Sequence, residues 1–252
     1  MTDTGIAEAA RAAGDPIQQA VAVFMLHPET FAESIAAGYR NPLAGYVAGR
    51  GGVLGDVSGE TVSSAFVVFE PKSLGALWEE GVAVRGAAGA AELYWQQTAD
   101  FGRKYLAGAA GLQRLAALGE KIIAATPGTG LPLYAGWRAM PLADDAPARA
   151  LQVMFVLREL RAAVHFDVLT DSGITPVEAH MLNKGREYTK MFAWPEPYDD
   201  GSEKKDRYAE VEDTTNRRMA DIFAAALDHG EADELARLST DALATMKASL
   251  AA

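Results

Sequence analysis

The amino-acid sequence predicts an all-α fold built from many helices. Alanine dominates stretches such as "AALGEKIIAAT" and "DIFAAALDHG", and alanine favours helix because it loses no side-chain entropy there. The chain contains no strand-like alternation of apolar and polar residues longer than a few positions, no internal repeat and no low-complexity tail. With 252 residues, of which 49% are apolar, it is long enough to bury a core.

Prolines and capping residues mark the predicted helix starts along the chain. Proline fits the first turn of a helix because its missing N–H would be unpaired there, and a preceding Ser, Thr or Asp can accept from the free amides. "TPVE" at 175–178 is a capping box, which predicts one such start. Further starts are predicted at Asp15 with Pro16, at Pro28, at Ser58 and at Pro147.

Two segments rich in proline and glycine are predicted as loops. "TPGTGLPLYAGWRAMPLADDAPA" is the longer one, and it puts Trp137 where the indole could roof a cavity. "AWPEPYDDGSEKKD" is the second loop, and amphipathic helices follow it to the end of the chain. Earlier in the chain, Pro71 is predicted to break the helix of "GETVSSAFVVFE".

Charge and composition argue against several classes of protein. The net charge is −11, with 23 Lys and Arg against 34 Asp and Glu, whereas a duplex-binding surface presents clustered cations. Nucleic acid is therefore not an expected partner. The chain has no cysteine, which excludes disulfides and cysteine-ligated metals. No secretory signal and no apolar run of about 18 residues is found, so we expect a cytoplasmic protein without a membrane partner.

Four segments follow one another in an order and spacing that is typical of one family. They are "GYVAGRGGVLGDV", "AFVVFEP", "FVLRELRAAVHFDVL" and "GITPVEAHML". The residues that match are Tyr46, Arg50, Leu54, Gly55, Phe66, Phe69, Pro71, Leu157, Arg158, Glu159, Arg161 and His165. Together the segments resemble the actinobacterial SalK-like helix-turn-helix family over most of residues 20–190. The resemblance implies an all-α domain derived from a helix-turn-helix scaffold, with C-terminal helices that pack back on the core.

The chain departs from the family pattern after Thr175. The family continues there through a Gly-Trp-led helix, a recognition-type helix and a wing. Here "REYTKMFAWPEPYDDGSEKKDRYAEVE" crosses that region in far fewer residues, and Pro195 and Pro197 leave little helix behind Trp194. The recognition helix and wing are therefore expected to be missing. We predict an N-terminal helical domain over 1–170 and a reduced helix-turn-helix-like region over 171–252, or one continuous domain.

Three cationic residues share one face of the predicted helix "FVLRELRAAVHF". Arg158, Arg161 and His165 stand at i, i+3 and i+7, and Glu159 lies about 100° away on a neighbouring face. In a structural interpretation, the arginines pair with carboxylates on neighbouring helices, as buried charges must. In a functional interpretation, this face lines a pocket for an anionic or polar ligand, with His165 as a hydrogen-bonding or proton-transfer partner. The sequence leaves both interpretations open.

Tyr46 and Arg50 form a second candidate group because they stand four residues apart on one helix face. Either Arg50 caps the carbonyls at its helix C-terminus, or both side chains join the pocket. We expect His165 in the interior, on the same cavity wall as Arg161, with Arg50 and Tyr46 approaching from the N-terminal half. No acidic residue stands four positions from Arg161, so its partner must come from another helix or from a ligand.

These features predict a small-molecule-binding protein, which could be an enzyme, on a scaffold that does not bind DNA. Its predicted ligand-binding residues are Tyr46, Arg50, Arg158, Arg161 and His165. The alternative is a DNA-binding transcriptional regulator, for which Lys184, Arg186 and Lys190 would supply cations.

A third class of function is a helical protein that binds a partner. One stripe of the C-terminal helices could serve a homodimer; it consists of Met219, Ile222, Phe223, Ala226 and Leu227. No metal ligand is predicted, because no two histidines stand at i, i+4. The sequence leaves the catalytic residues and any cofactor undetermined. A haem held by His165 is conceivable, and nothing specific in the sequence supports it.

Overall fold

The protein is a bundle of helices, which confirms the predicted all-α class. The structure, a computed structural model, describes residues 4–251, and these form twelve α-helices and no β-strand. Short 3₁₀ turns lie at Gly52–Leu54 and Ser202–Lys204. The helices are α1 (Thr4–Leu26), α2 (Pro28–Ala36), α3 (Pro42–Gly51), α4 (Gly59–Phe66), α5 (Pro71–Tyr105), α6 (Leu112–Ala125), α7 (Pro132–Trp137), α8 (Ala146–Ser172), α9 (Pro176–Asn183), α10 (Arg186–Met191), α11 (Lys205–Ala226) and α12 (His229–Ala251).

Helix α1 begins earlier than the sequence pattern predicts. The predicted start at Asp15 and Pro16 is wrong, because α1 runs through both residues without a break. The residues before Pro16 already present an apolar stripe, with Ile6, Ala9 and Ala13 buried, and α1 packs along α12. The burial of this stripe outweighs the one hydrogen bond that an internal proline removes.

Helix α8 runs through the centre of the core, as its apolar first half predicts. Asp145 caps the helix by accepting from the Ala148 amide, and Pro147 lies in the first turn. Every residue over 150–157 is buried. These side chains join apolar residues of α1, α5, α6, α11 and α12 in one cluster. The charged half of α8 therefore follows directly on the core.

The C-terminal helices pack back on this core, as predicted. Helix α12 lies along α1, and α11 contacts α1, α6 and α8. In the stripe considered for a homodimer, Met219, Phe223 and Leu227 are buried in the main apolar cluster, and Ile222 and Ala226 pack against it. The stripe therefore serves the intramolecular core. The homodimer stays a prediction, but the stripe is covered within the chain and is not available as its interface.

Trp137 lies in a helix rather than in a loop. The predicted loop contains α7, and the Trp137 ring at the end of α7 is fully buried. Its indole N–H donates to the Arg50 backbone carbonyl at 3.1 Å. The expectation that Trp137 roofs a cavity is therefore wrong, because burial of the large ring with a hydrogen-bond acceptor outweighs the turn-forming composition of the segment.

Helix α4 ends at Phe66, earlier than the break predicted at Pro71. Val67 adopts a positive φ of 53° with ψ −55°, and the Val68 amide donates to the Phe66 carbonyl. This is the rarer and strained form of the γ-turn, which a β-branched residue adopts only when its surroundings impose it. The turn reverses the chain before α5 begins.

The turn at Val67 also fixes the α9–α10 region to the N-terminal half. The Val68 carbonyl accepts from the His180 ring at 2.7 Å and from the Trp194 indole at 2.9 Å, with His180 bonding through Nε2. The ring centroids of Phe69 and Phe192 lie 4.5 Å apart. We call this group of contacts the 67–70 junction. It packs half-buried aromatic side chains together where the family resemblance implies a DNA-reading unit.

The helix-turn-helix-like region is short. The capping box at the start of α9 is confirmed, since the Thr175 side chain accepts from the Glu178 amide and Glu178 accepts from the Thr175 amide, at 3.2 and 2.8 Å. Helix α10 has six residues. Irregular chain then leads to Ser202, and no wing of β-strands forms within residues 4–251.

Candidate functional site

A buried ion pair joins α3 to α8 at the centre of the molecule. Arg50 lies in the last turn of α3, and its side chain and that of Glu159 on α8 are 2% and 1% exposed. The Arg50 guanidinium donates from Nε and Nη2 to the two Glu159 carboxylate oxygens at 2.9 and 3.0 Å. Arg50 therefore points into the core, and the interpretation that it caps the carbonyls of its own helix is wrong.

Glu159 also connects this pair to the cationic face of α8. Arg158 donates from Nη1 to Glu159 Oε1 at 2.6 Å. On the other side, Arg50 donates from Nη1 to the Tyr46 hydroxyl at 3.3 Å, and the Phe66 ring lies 4.5 Å from its guanidinium carbon. Three of the predicted residues, Tyr46, Arg50 and Arg158, are therefore brought together around one carboxylate.

The charges of this group are stabilised by one another. Burial raises the pKa of the Glu159 carboxyl, but the charges of Arg50 and Arg158 outweigh burial and hold the pKa below its usual value. Burial also disfavours the charged form of Arg50, and Glu159 reverses this and raises the Arg50 pKa. The Glu159 carboxylate and the Arg50 guanidinium therefore stay charged inside the protein.

Glu159 is the residue of this group that the sequence analysis did not predict as a site residue. The helical period puts it on the face next to that of Arg158 and Arg161, and this neighbouring face is the one that meets α3. A signal was present in the sequence, because an acidic residue only two positions after a buried apolar run needs a cationic partner.

A cleft of about 220 Å³ opens between α1, α8 and α11. Charged and polar groups form its walls: Arg11, Asp15, Gln18, Arg158, Arg161, Glu212 and Asn216. Its apolar part is formed by Ala10, Ile17, Leu157, Met219 and Phe223. The cleft therefore combines a cationic wall on α8 with an apolar floor.

Glu212 of α11 is the carboxylate opposite the cationic wall. Its Oε2 accepts from Arg161 Nη2 at 3.3 Å, and its Oε1 lies 3.6 Å from His165 Nδ1 and 3.5 Å from the Tyr208 hydroxyl. The prediction that the partner of Arg161 comes from another helix or a ligand is confirmed by this contact. All three contacts are long, so Glu212 is loosely held.

His165 lies beside the cleft rather than on its wall. Its side chain is 16% exposed, and Nδ1 lies 3.3 Å from the Thr215 hydroxyl of α11. Burial lowers the pKa of His165, Glu212 raises it and Arg161 lowers it, so that the pKa falls below its usual value. Of the five predicted residues, Arg158 and Arg161 line the cleft, His165 reaches it through Glu212, and Tyr46 and Arg50 lie behind Arg158.

The site offers little for a metal or a haem. In the described chain, no group of three His, Asp or Glu side chains is arranged to hold a metal ion. Pockets that hold drug-sized ligands measure roughly 300–1,000 Å³, so the cleft is too small for a haem ligated by His165.

The α9–α10 region uses its cations in local contacts. Arg186 pairs with Glu196 at 2.6 Å, and the Lys184 ammonium lies 4.8 Å from the centre of the Tyr188 ring. Residues 184–207 contain six Lys and Arg and six Asp and Glu. This part of the molecule therefore has no excess of positive charge.

Comparison with known proteins identifies the family. A family model described as "Helix-turn-helix family" matches residues 10–204. The chain belongs to this helix-turn-helix family. No curated protein and no solved structure shows significant similarity to the chain.

The part of this helix-turn-helix protein that matches the family contains the arginines of the site but not all of the cleft. Arg50, Arg158 and Arg161 lie within the matched residues, whereas Glu212 and Thr215 belong to α11, which begins after residue 204. The helix-turn-helix scaffold therefore provides the cations, and the helix that follows it provides the carboxylate opposite. No helix in the described part of the chain is long and apolar enough to span a bilayer.

Proposed function

We propose that this helix-turn-helix protein binds a small anionic molecule, such as a carboxylate, in the cleft between α1, α8 and α11. The observation that carries the proposal is the wall of α8, where Arg158 and Arg161 face one loosely held carboxylate, Glu212. Guanidinium groups pair with carboxylate and phosphate oxygens through charge-assisted hydrogen bonds.

The charge on the cleft walls supports an anionic ligand. Three arginines face the space, against the carboxylates of Asp15 and Glu212. Arg11 is also exposed and lies 3.8 Å from Asp213, which leaves the α8 arginines as the cations that are partly shielded from water. A bound anion would balance the excess positive charge there.

The size of the cleft limits the ligand. Pockets that hold drug-sized ligands measure roughly 300–1,000 Å³, so a cleft of about 220 Å³ suits a smaller molecule. The floor of Leu157, Met219 and Phe223 favours a short apolar body behind the anionic group. The proposal concerns binding, since the arginines and the apolar floor of the cleft fit an anionic ligand.

Binding can be tested with benzoate, succinate and inorganic phosphate by isothermal titration calorimetry. Arg161→Gln removes a charge-assisted hydrogen bond worth about 1.5–3 kcal/mol, so we expect the affinity of the best probe to fall at least tenfold. The control is Arg149→Gln, also on α8, which pairs with Glu120 at 2.7 Å outside the cleft. Absence of binding for all three probes, or equal affinity for the wild type and Arg161→Gln, would contradict the proposal.

A DNA-binding regulator is the second candidate, and membership of a helix-turn-helix family favours it. The six-residue α10 and the paired Arg186 argue against it, since a recognition helix presents free side chains to base edges. Gel shifts on genomic fragments at low and moderate salt distinguish the two. Salt-dependent binding of one fragment over others, lost in Lys184→Gln/Lys190→Gln, would favour the regulator.

The four motifs quoted above also support a finer position for the chain, in the SalK-like branch of helix-turn-helix proteins. Arg50 and Glu159 of those motifs form the buried ion pair, and Tyr46 and Phe66 contact Arg50. We therefore also propose that the protein belongs to this branch, comes from an actinobacterium and is located in the cytoplasm.

A further inference from the structure

We infer that the anionic group of the ligand replaces Glu212 on Arg161, and that the displaced Glu212 moves onto His165. This inference rests on the proposed ligand site and describes how the site is regulated. It has two geometric grounds: Glu212 is weakly held in its present position, and a second partner, the His165 imidazole, lies within reach.

The weak hold on Glu212 is clear from other ion pairs in the same protein. Arg149 and Glu120 form two contacts of 2.7 Å, and Arg50 and Glu159 form contacts of 2.9 and 3.0 Å. Glu212 has a single contact of 3.3 Å with Arg161, and its side chain is 35% exposed. Since only short contacts are strong hydrogen bonds, Glu212 can leave Arg161 at a small cost.

The second partner is His165. Glu212 Oε1 already lies 3.6 Å from His165 Nδ1, so a small rotation of the Glu212 side chain replaces one partner by the other. The other groups next to the histidine are Arg161 of α8 and Thr215 of α11. Tyr208 of α11 contacts Glu212, and Tyr188 of α10 is near enough to influence Tyr208. Arg11 and Asp15 of α1 lie across the cleft.

The exchange changes the protonation of His165. In the free protein, burial and the charge of Arg161 keep the His165 pKa below its usual 6.5. A bound anion neutralises Arg161, and Glu212 then directs its full charge at the imidazole. Both changes raise the His165 pKa. His165 therefore takes up one proton from solvent as the anion binds, and affinity increases as the pH falls, by at most about tenfold per pH unit for one proton.

The test uses NMR titration of the four histidines with and without saturating benzoate, in which His165→Gln identifies the His165 signal. We expect benzoate to raise the titration midpoint of His165. Calorimetry in Pipes and Tris buffers at pH 6.5 should report proton uptake. In Glu212→Gln, benzoate should bind more tightly than to the wild type at pH 7.5, because the competing carboxylate is gone. The dependence of affinity on pH should be weaker than in the wild type, because only the neutralisation of Arg161 by the anion then raises the His165 pKa.

The outcomes separate this inference from the proposed function. Failure of benzoate, succinate and phosphate to bind would overturn both. Benzoate binding that is weakened by Arg161→Gln but leaves the His165 midpoint unchanged, with no proton uptake, would overturn the inference and keep the function. His229→Gln is the control, because His229 is exposed on α12 and pairs with Asp233, and this change should leave proton uptake intact.

Discussion

Arg50 is a fully buried cation whose stability depends on residues far away in the sequence. Glu159, its partner, stands 109 positions later, and Arg158 is the other cation on that carboxylate. Removal of one member of a buried pair leaves an unpaired charge in the core, which costs more than the pair contributes. This asymmetry predicts how variants of the pair behave.

Arg50→Met is expected to lower the free energy of unfolding by about 3–5 kcal/mol, because it leaves Glu159 without its bidentate partner. The double variant Arg50→Met/Glu159→Leu should regain part of this loss, since an apolar pair of similar volume needs no counter-charge. The recovery is incomplete because Arg158 loses its carboxylate partner. Urea denaturation followed by circular dichroism measures both. A double variant less stable than Arg50→Met would contradict this account of the pair.

At the scale of single residues, Arg161 and Glu159 mark the limits of prediction from sequence. The sequence has no acidic residue four positions from Arg161, and this was enough to predict that its partner lies outside α8. The identity of that partner, Glu212, did not follow, because it depends on how α11 lies against α8. Glu159 was missed for the same reason, since its face is defined by contact with α3.

At the scale of elements, close packing of α3 on α5 decides where Arg50 lies. Gly81 of α5 faces α3, and a Cβ there would lie 2.4 Å from the Ala44 carbonyl oxygen and 2.6 Å from the Ala48 side chain. The Ala44 backbone cannot move aside as a flexible side chain does. A methyl group at position 81 would therefore push α3, which carries Arg50, away from α5.

Gly81→Ala is therefore expected to destabilise the protein by about 1–3 kcal/mol, the usual cost of overpacking. Gly89 of α5, which lies just beyond the kink at Gly86 (φ 71°), is the control, because a Cβ there meets only the Arg85 side chain, at 3.4 Å. Gly89→Ala should stabilise the protein by up to about 1 kcal/mol, since alanine is the better helix former. Thermal unfolding distinguishes the two, and a loss of equal size in both variants would show that packing against α3 is not the cause.

Element boundaries were predicted well where the cap is local and poorly where a distant surface decides. The capping box of α9 lies within four residues, so "TPVE" was enough to find it. The start of α1 was wrong because α12 buries the residues before Pro16. The end of α4 was wrong because the Val68 carbonyl is directed at His180 and Trp194.

At the scale of the whole molecule, the 67–70 junction connects the N-terminal half to the α9–α10 region through a histidine. The His180 ring stacks on Phe192 with centroids 4.3 Å apart and bonds to the Val68 carbonyl. Burial lowers the pKa of His180, and the hydrogen bond to Val68 raises it less, so the pKa falls below its usual 6.5. Stability of the junction should therefore depend on pH.

The direction of this pH dependence is decided by whether the folded or the unfolded protein binds the His180 proton at the higher pH. As the pH falls below 6.5, the unfolded chain protonates His180 before the folded protein does, so the free energy of unfolding falls between 6.5 and the lowered pKa of the folded state. For one proton the slope is at most about 1.4 kcal/mol per pH unit. Urea denaturation at several pH values should show a shallower decline in His180→Gln than in the wild type. Parallel curves would exclude His180 as the source.

The division into 1–170 and 171–252 stays a prediction at this scale. Apolar residues of α1, α8, α11 and α12 share one cluster, while a smaller cluster around Leu169, Ile174 and Val211 serves the start of the C-terminal region.

The sequence by itself determined the helical class, the course of α8 through the core, the capping box and the cationic face of Arg158, Arg161 and His165. These depend on helical period and on capping, which act within a few residues. Only the tertiary structure decided that Glu159 joins Arg50 to Arg158, that Glu212 faces Arg161, and that Trp137 is buried. Such contacts arise where helices meet, and the side chains that fill those interfaces come from parts of the chain that no local pattern connects.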